Sequence, residues 1–209
     1  MQIKNMRYRF CKIIVLLFVL CGKVFSQEQK DLLDSVALSE TYTFMSIAEA
    51  MEHPEMVVKL ELRKQKLKTF PSEIFQFKNL QSLDLGRNQL KEIPDSIYKL
   101  TQLQYLDVSH NKISSLPKEI GKCTNLFYLN ANNNELYYLP PQIGNLENLR
   151  TLDLWSNELG DFPETMQNLK NLNIIDVRGI LISDDVINKL KKWLPHTHVE
   201  SSPPCNCKM

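Results

Sequence analysis

Residues 80–102 read LQSLDLGRNQLKEIPDSIYKLTQ and residues 103–125 read LQYLDVSHNKISSLPKEIGKCTN; 126–148 follow as LFYLNANNNELYYLPPQIGNLEN and 149–171 as LRTLDLWSNELGDFPETMQNLKN. Each copy is 23 residues long, with no insertion between them. A weaker copy opens at Val57 (VVKLELRKQKLKTFPSEIFQFKN) and a degenerate one at Leu172 (LNIIDVRGILISDDVINKLKKW). Self-similarity at a fixed period of this length is the signature of a stacked-repeat architecture, and it decides the fold.

One copy can be read from its own residues. Leu80, Leu83 and Leu85 mix spacings of three and two, which is a short strand entered by a bend. Alternation along a strand sends Leu83 and Leu85 inward and Ser82 and Asp84 outward. Leu90, Ile93, Ile97 and Leu100 complete the inner set. Pro94 has a fixed φ and no N–H, which suits the first position of a brief helical turn carrying Ile97 and Leu100 on one face. One such coil cannot bury its own apolar side; stacking buries it between neighbours and aligns the strands in a parallel sheet. Six coils make a face about 24 Å across, and each buried aliphatic side chain contributes roughly 1.5–3 kcal/mol.

The pattern L-x-x-L-x-L-x-x-N-x-L, followed by L-P-x-x-I-x-x-L, resembles the leucine-rich repeat family over residues 57–192. Its ending resembles the subclass found in plant intracellular Ras-group proteins and many bacterial exported repeat proteins. The resemblance implies an α/β fold: a right-handed solenoid, or horseshoe, with a parallel concave sheet, short helical or 3-10 convex turns, and helical caps at both ends. It also implies that Asn88, Asn111, Asn134 and Asn157, which recur at steps of 23, form a structural ladder bonding the backbone of adjacent coils. An amide side chain carries both donors and an acceptor, as that role needs. Gln65 and Ile180 replace the Asn in the first and last copies, where terminal repeats become atypical.

The implied organisation is a signal peptide at 1–26, an N-terminal segment with a capping helix at 27–56, and repeats at 57–182. A C-terminal capping helix at 183–199 and a flexible tail at 200–209 complete it. Lys4, Arg7, Arg9 and Lys12 precede an apolar run at 13–21 and Val24-Phe25-Ser26, the layout of a secretory signal. Its nine apolar residues are about half the ~20 that span a bilayer. Lipid attachment at Cys21 is disfavoured because Leu20 precedes it where a small residue is wanted. Removing the signal takes away five basic residues and no acids, leaving 20 Lys and Arg against 24 Asp and Glu, a net of −4. Three cysteines remain (Cys123, Cys205, Cys207), an odd number that argues against a disulfide scaffold. The expected location is therefore secreted, periplasmic or cell-envelope.

Ser46-Ile47-Ala48-Glu49 reads as a capping box opening a short helix over 44–53 that ends at His53-Pro54. Residues 27–42 carry only weak pattern. At the far end, Ser183-Asp184-Asp185 starts a helix with Val186, Ile187, Leu190, Trp193 and Leu194 on its apolar side, stopped by Pro195.

Function is sought at the outward strand positions. Third places hold Lys59, Ser82, Tyr105, Tyr128, Thr151 and Ile174; fifth places hold Glu61, Asp84, Asp107, Asn130, Asp153 and Asp176. Seventh and eighth places add Trp155 and His110. Exposed aromatics among charged neighbours resemble a binding hot spot. The expected partner site is Tyr105, Asp107, His110, Tyr128, Asn130, Asp153 and Trp155, binding a protein or peptide. The rival readings are a glycan or cell-envelope polymer stacked on the aromatics, a purely structural envelope protein, and an intracellular-type signalling scaffold. On an open face, Asp107→Ala is expected to cost within about 0.5 kcal/mol, and Asn111→Ala roughly 1–3 kcal/mol.

Catalysis, metal and cofactor are not expected. No G-x-S-x-G, H-E-x-x-H or phosphate loop occurs, and Ser109 and His110, adjacent on a strand, would point to opposite sides. Asp84, Asp107 and Asp153 are too divergent for calcium. The His196-x-His198 and Cys205-x-Cys207 pairs lack the spacing of a zinc finger. A near-zero charge of +1 argues against nucleic acid. The mature chain is expected to have no membrane span and to be a monomer. Cys123, at the place of Phe77, Leu100, Leu146 and Leu169, reads as a small buried apolar residue.

Overall fold

The equal length of the copies sets the register of the sheet. Because each strand returns 23 residues after the last, like positions meet: Leu60 pairs with Leu83, Leu83 with Leu106, Leu106 with Leu129, Leu129 with Leu152 and Leu152 with Ile175. The computed structural model describes residues 32–202. The proposed signal peptide and the Cys205 and Cys207 pair lie outside them. Ser35–Met209 cluster as one unit, and its described part is treated below.

Eight parallel strands lie side by side in chain order. They are β1 (Thr43–Phe44), β2 (Lys59–Glu61), β3 (Ser82–Asp84), β4 (Tyr105–Asp107), β5 (Tyr128–Asn130), β6 (Thr151–Asp153), β7 (Ile174–Asp176) and β8 (His198–Glu200). The repeats account for β2 to β7. The chain adds one strand before and one after, so both exposed edges of the repeat sheet are paired. The tail expected from residue 200 does not start there, since His198–Glu200 is ladder-paired to Ile174–Asp176.

Return segments carry 3-10 turns at Ser72–Gln76, Asp95–Lys99, Lys118–Lys122, Pro141–Asn145 and Glu164–Asn168. Pro94 is not the first residue of its turn. It stands one place earlier, extended at φ −71° and ψ 153°, and Pro71, Pro117, Pro140 and Pro163 do the same. Its carbonyl accepts the Ile97 N–H at 3.0 Å, so the turn starts behind the proline and needs no N–H from it. The inner residues Leu80, Leu83, Leu85, Leu90, Ile97 and Leu100 are buried in one continuous cluster running through the coils. Cys123 lies in that cluster, and burial pushes its thiol up to about 11. Two turns approach so closely that only glycine fits: a Cβ on Gly144 would stand 2.3 Å from the Thr165 carbonyl oxygen, and one on Gly121 2.4 Å from that of Gln142.

The Asn at the ninth place of each coil makes the same bonds four times. Nδ2 of Asn88, Asn111, Asn134 and Asn157 donates to a carbonyl one coil back (Leu62, Leu85, Val108, Ala131) and to one in its own coil. Oδ1 accepts the N–H of Leu67, Leu90, Ile113 or Leu136. Gln65, in the first coil, instead donates to the Met45 carbonyl at 2.8 Å. A second ladder runs along the last place of the repeat. Asn79, Asn125, Asn148 and Asn171 each donate to a carbonyl 24 residues earlier. Its signal, an Asn at the last place of the repeat, was in plain view but is interrupted by Gln102.

At the N-terminal side the helix is only Ile47–Ala50, shorter than the expected 44–53, because Thr43–Phe44 is already strand. Ser46 caps it by accepting the Glu49 N–H, while the Glu49 carboxylate accepts the Met45 N–H rather than that of Ser46. The weakly patterned stretch before it contains a further helix, Ser35–Glu40. At the other end, Asp184–Trp193 is helical with Ser183 as its cap and Ile187 and Leu190 buried. It stops at Trp193 rather than 199, because Pro195 releases the chain into β8.

Candidate binding face

The third-place file brings Tyr105 of β4 directly opposite Tyr128 of β5. Parallel strands hold equivalent side chains about 4.8 Å apart, so the rings have little choice but to stack. They lie 4.3 Å between centroids and 3° from parallel. Burial first, and then the neighbouring phenol and Asp107, push the Tyr105 hydroxyl well above its ordinary value. Burial and Asp107 do the same for Tyr128. Both are neutral phenols over the whole physiological range. Trp155, beyond the end of β6, is 42% exposed and lies against Gly179 of the next coil, where a Cβ would come within 3.2 Å of the indole Nε1.

The fifth-place file is not the open acidic stripe that alternation suggested. From the second coil on, each side chain accepts the backbone N–H two residues on: Asp84 from Gly86, Asp107 from Ser109, Asn130 from Asn132, Asp153 from Trp155 and Asp176 from Arg178, at 2.7–3.1 Å. This is the Asx turn, repeated coil by coil. Asp107, Asn130 and Asp176 are buried by it. The spare oxygens are taken as well. Arg63 reaches Asp84 at 3.2 Å and Asp107 at 3.4 Å, Asn130 donates to Asp107, and Asn132 donates to Asp153 at 2.6 Å. Arg178 pairs with Asp176 and Glu200. Burial raises the Asp84 and Asp153 carboxyls, against the opposing N–H bonds they accept. Asp107 is thus a fastening of the sheet, and its removal costs more than the small loss expected for a residue on an open face.

Ser109 and His110 do not lie on a strand, because β4 ends at Asp107. His110 has a left-handed backbone, φ 52°, as do Lys64, Arg87, Asn133, Ser156 and Gly179 at the same place in the other five coils. Ser109 is buried. Burial, and then the charges of Arg87 and Arg63, hold His110 below its usual imidazole value. The expected site residues therefore separate. Tyr105, Tyr128, Trp155 and His110 are available at the surface, while Asp107 and Asn130 are committed to the sheet and Asp153 is partly so.

Sequence reasoning missed one component. Leu38 and Ser39, of the helix Ser35–Glu40, line a cleft of ≈460 Å³ with Lys59, Ser82, Tyr105 and Tyr128. The only forewarning was a short group of apolar residues, Leu32, Leu33, Val36, Ala37 and Leu38, with no clear period.

Models described as leucine rich repeat match residues 56–113, 78–136 and 148–169. The chain is a leucine-rich repeat protein. Among solved structures, its repeats resemble a leucine-rich repeat protein of Leptospira interrogans at 34% identity and TM-score 0.62, covering 76% of this chain and 46% of that one. They resemble the ectodomain of the Arabidopsis thaliana membrane receptor kinase GASSHO1/SCHENGEN3 at 26% identity and TM-score 0.61, covering 76% and 19%. Internalin C2 of Listeria monocytogenes, at 23% identity and TM-score 0.62 over 78% and 68%, shares the fold. The chain thus spans about half the length of the Leptospira protein and about a fifth of the plant ectodomain. A comparison with curated protein sequences gives no match. The stacked coils and parallel sheet described above are this family's solenoid. Among the described residues, no helix is long and apolar enough to cross a membrane.

Proposed function

We propose that this leucine-rich repeat protein is exported, has no catalytic role, and binds a protein or peptide on the concave strand face. The observation that carries the reading is the stacked pair Tyr105 and Tyr128, with Trp155 exposed farther along the same face. Aromatic side chains lose little entropy on binding and dominate interface energetics. Here the sheet register has already ordered two of them, so a ligand meets a preformed surface and avoids that cost. Asp107, Asn130 and Asp153 serve this face from beneath, by holding the bends that display Trp155 and His110. The Arabidopsis ectodomain it resembles was solved in complex with Casparian strip integrity factor 2, which supports a binding role for such a solenoid. Export rests on the basic, apolar and small-residue succession of residues 1–26.

The test is affinity capture from the producing cell's envelope and medium. It uses the wild-type chain, a Tyr105/Tyr128/Trp155→Ala variant and a Tyr137/Tyr138→Ala variant; these last two tyrosines are exposed outside the strands. One protein should be retained by the wild type and the Tyr137/Tyr138 variant and lost with the triple variant. Equal retention by all three, or a bound polysaccharide with no protein, overturns the proposal.

A further inference from the structure

The helix Ser35–Glu40 belongs to the same compact unit as the coils. Leu38 is its buried residue, 5% exposed, yet it is outside the hydrophobic cluster that fills the coils. Its surroundings are the strand face instead: Ser35, Leu38 and Ser39 share the walls of one cleft with Ser82, Tyr105 and Tyr128. The segment ahead of β1 thus turns back over the tyrosine half of the face. Thr151, Trp155 and Ile174 lie outside that cleft.

We propose that the Tyr105–Tyr128 cleft is a subsite for a leucine-like aliphatic side chain of a peptide ligand, and that Leu38 is its resident intramolecular occupant, displaced when the ligand binds. The proposal rests on the reading of the strand face as a binding surface. Three observations carry it. An aliphatic side chain is buried against the outward face of the sheet rather than in the core. It is presented on six residues, too short a helix to hold its shape unaided, and Leu38 is the buried side chain among them. The cleft leaves ≈460 Å³ of open space beside Leu38, room for the flanking residues of a longer segment that carries the same anchor.

The test uses the full chain and its Leu38→Asp variant, with Leu38→Ala as a milder second variant. Tetranitromethane nitration is followed residue by residue by mass spectrometry, with exposed Tyr137 and Tyr138 as internal references. Removal of the occupant should speed nitration of Tyr105 and Tyr128 about fivefold, as expected for a local cover that opens more often, and leave the references unchanged. A fluorescent peptide of residues 35–41 (SVALSET) is then titrated by anisotropy. It should bind Leu38→Asp about tenfold more tightly than wild type, because the competing occupant no longer reduces the competent fraction. That binding should vanish when Tyr128→Ser is added or when the peptide's leucine is replaced by aspartate. Unchanged nitration overturns the proposal. So does peptide binding no tighter to Leu38→Asp than to wild type, including none to either, since the helix would then be a fixed wall. The two readings fail separately: unchanged nitration removes the occupant and leaves the binding face standing, whereas equal partner capture by the triple aromatic variant removes the face itself.

Discussion

The Asp107 carboxylate accepts the Ser109 N–H at 2.8 Å, and the bond recurs in five successive coils with Asp or Asn as the acceptor. A residue placed on the outward face by alternation is thereby made part of the scaffold. Asp107→Ala leaves the Ser109 N–H and the Asn130 amide without their acceptor and takes from Arg63 Nη1 one of its two carboxylate partners, and is expected to cost about 1–3 kcal/mol. Asp107→Asn, which keeps the Asx acceptor, should lose less. Urea titration of both against wild type measures the order.

Asn111→Ala removes two bonds between coils, one donated to the Leu85 carbonyl and one accepted from the Leu90 N–H, and a third, donated to Val108, within its own coil. The same range applies, about 1–3 kcal/mol. Because Asn111 and Asp107 fasten the same bend, the double variant should cost less than the two singles added together. Strict additivity in a double-mutant cycle would mean that the two bonds act independently.

Gly144→Ala introduces a Cβ 2.3 Å from a backbone oxygen of the next turn. The turns must separate, and a loss of about 1–3 kcal/mol is expected from overpacking. Gly160→Ala, where a Cβ meets nothing within 4 Å, is the control and should leave the thermal midpoint almost unchanged.

His110 has a folded pKa below its ordinary value, so the unfolded chain takes up a proton before the folded one does. Stability from this group is full above about pH 6.5 and is lost as pH falls from there through the lower folded value. His110→Asn removes the titration and tolerates the left-handed backbone. The drop in urea midpoint between pH 7.5 and 5.5 should be larger for wild type than for His110→Asn.

Cys123 is fully buried, and its thiol titrates at about 11. At pH 8 it should resist alkylation in the native protein and react promptly in urea. Peptide mapping after brief iodoacetamide treatment checks this without interference from other cysteines.

Several features were legible because periodicity carries them. The 23-residue spacing aligns Leu83 with Leu106 and Leu129 and stacks Tyr105 on Tyr128. The Asn at the ninth place announces itself by recurrence, and the family resemblance gives that recurrence its ladder role. Legibility failed where a residue's role depends on the backbone next to it. Alternation along a strand cannot distinguish an outward Asp in water from one folded back onto the N–H two residues later, because both occupy the same face. It also could not show β1 and β8, whose pairing is supplied by neighbours rather than by their own two or three residues.

The sequence by itself determined that there are coils, how many residues each has, and which side chains face the shared interior, since stacking equal units leaves one way to bury their leucines together. Tertiary structure alone decided what lies on the other side. The place of Leu38 in one cleft with the tyrosine pair, the binding of Arg63 to Asp84 and Asp107, and the closeness of Gly144 to Thr165 all join residues 21 to 90 positions apart. Contacts across that separation come from the path of the folded chain, and no local pattern of residues encodes them.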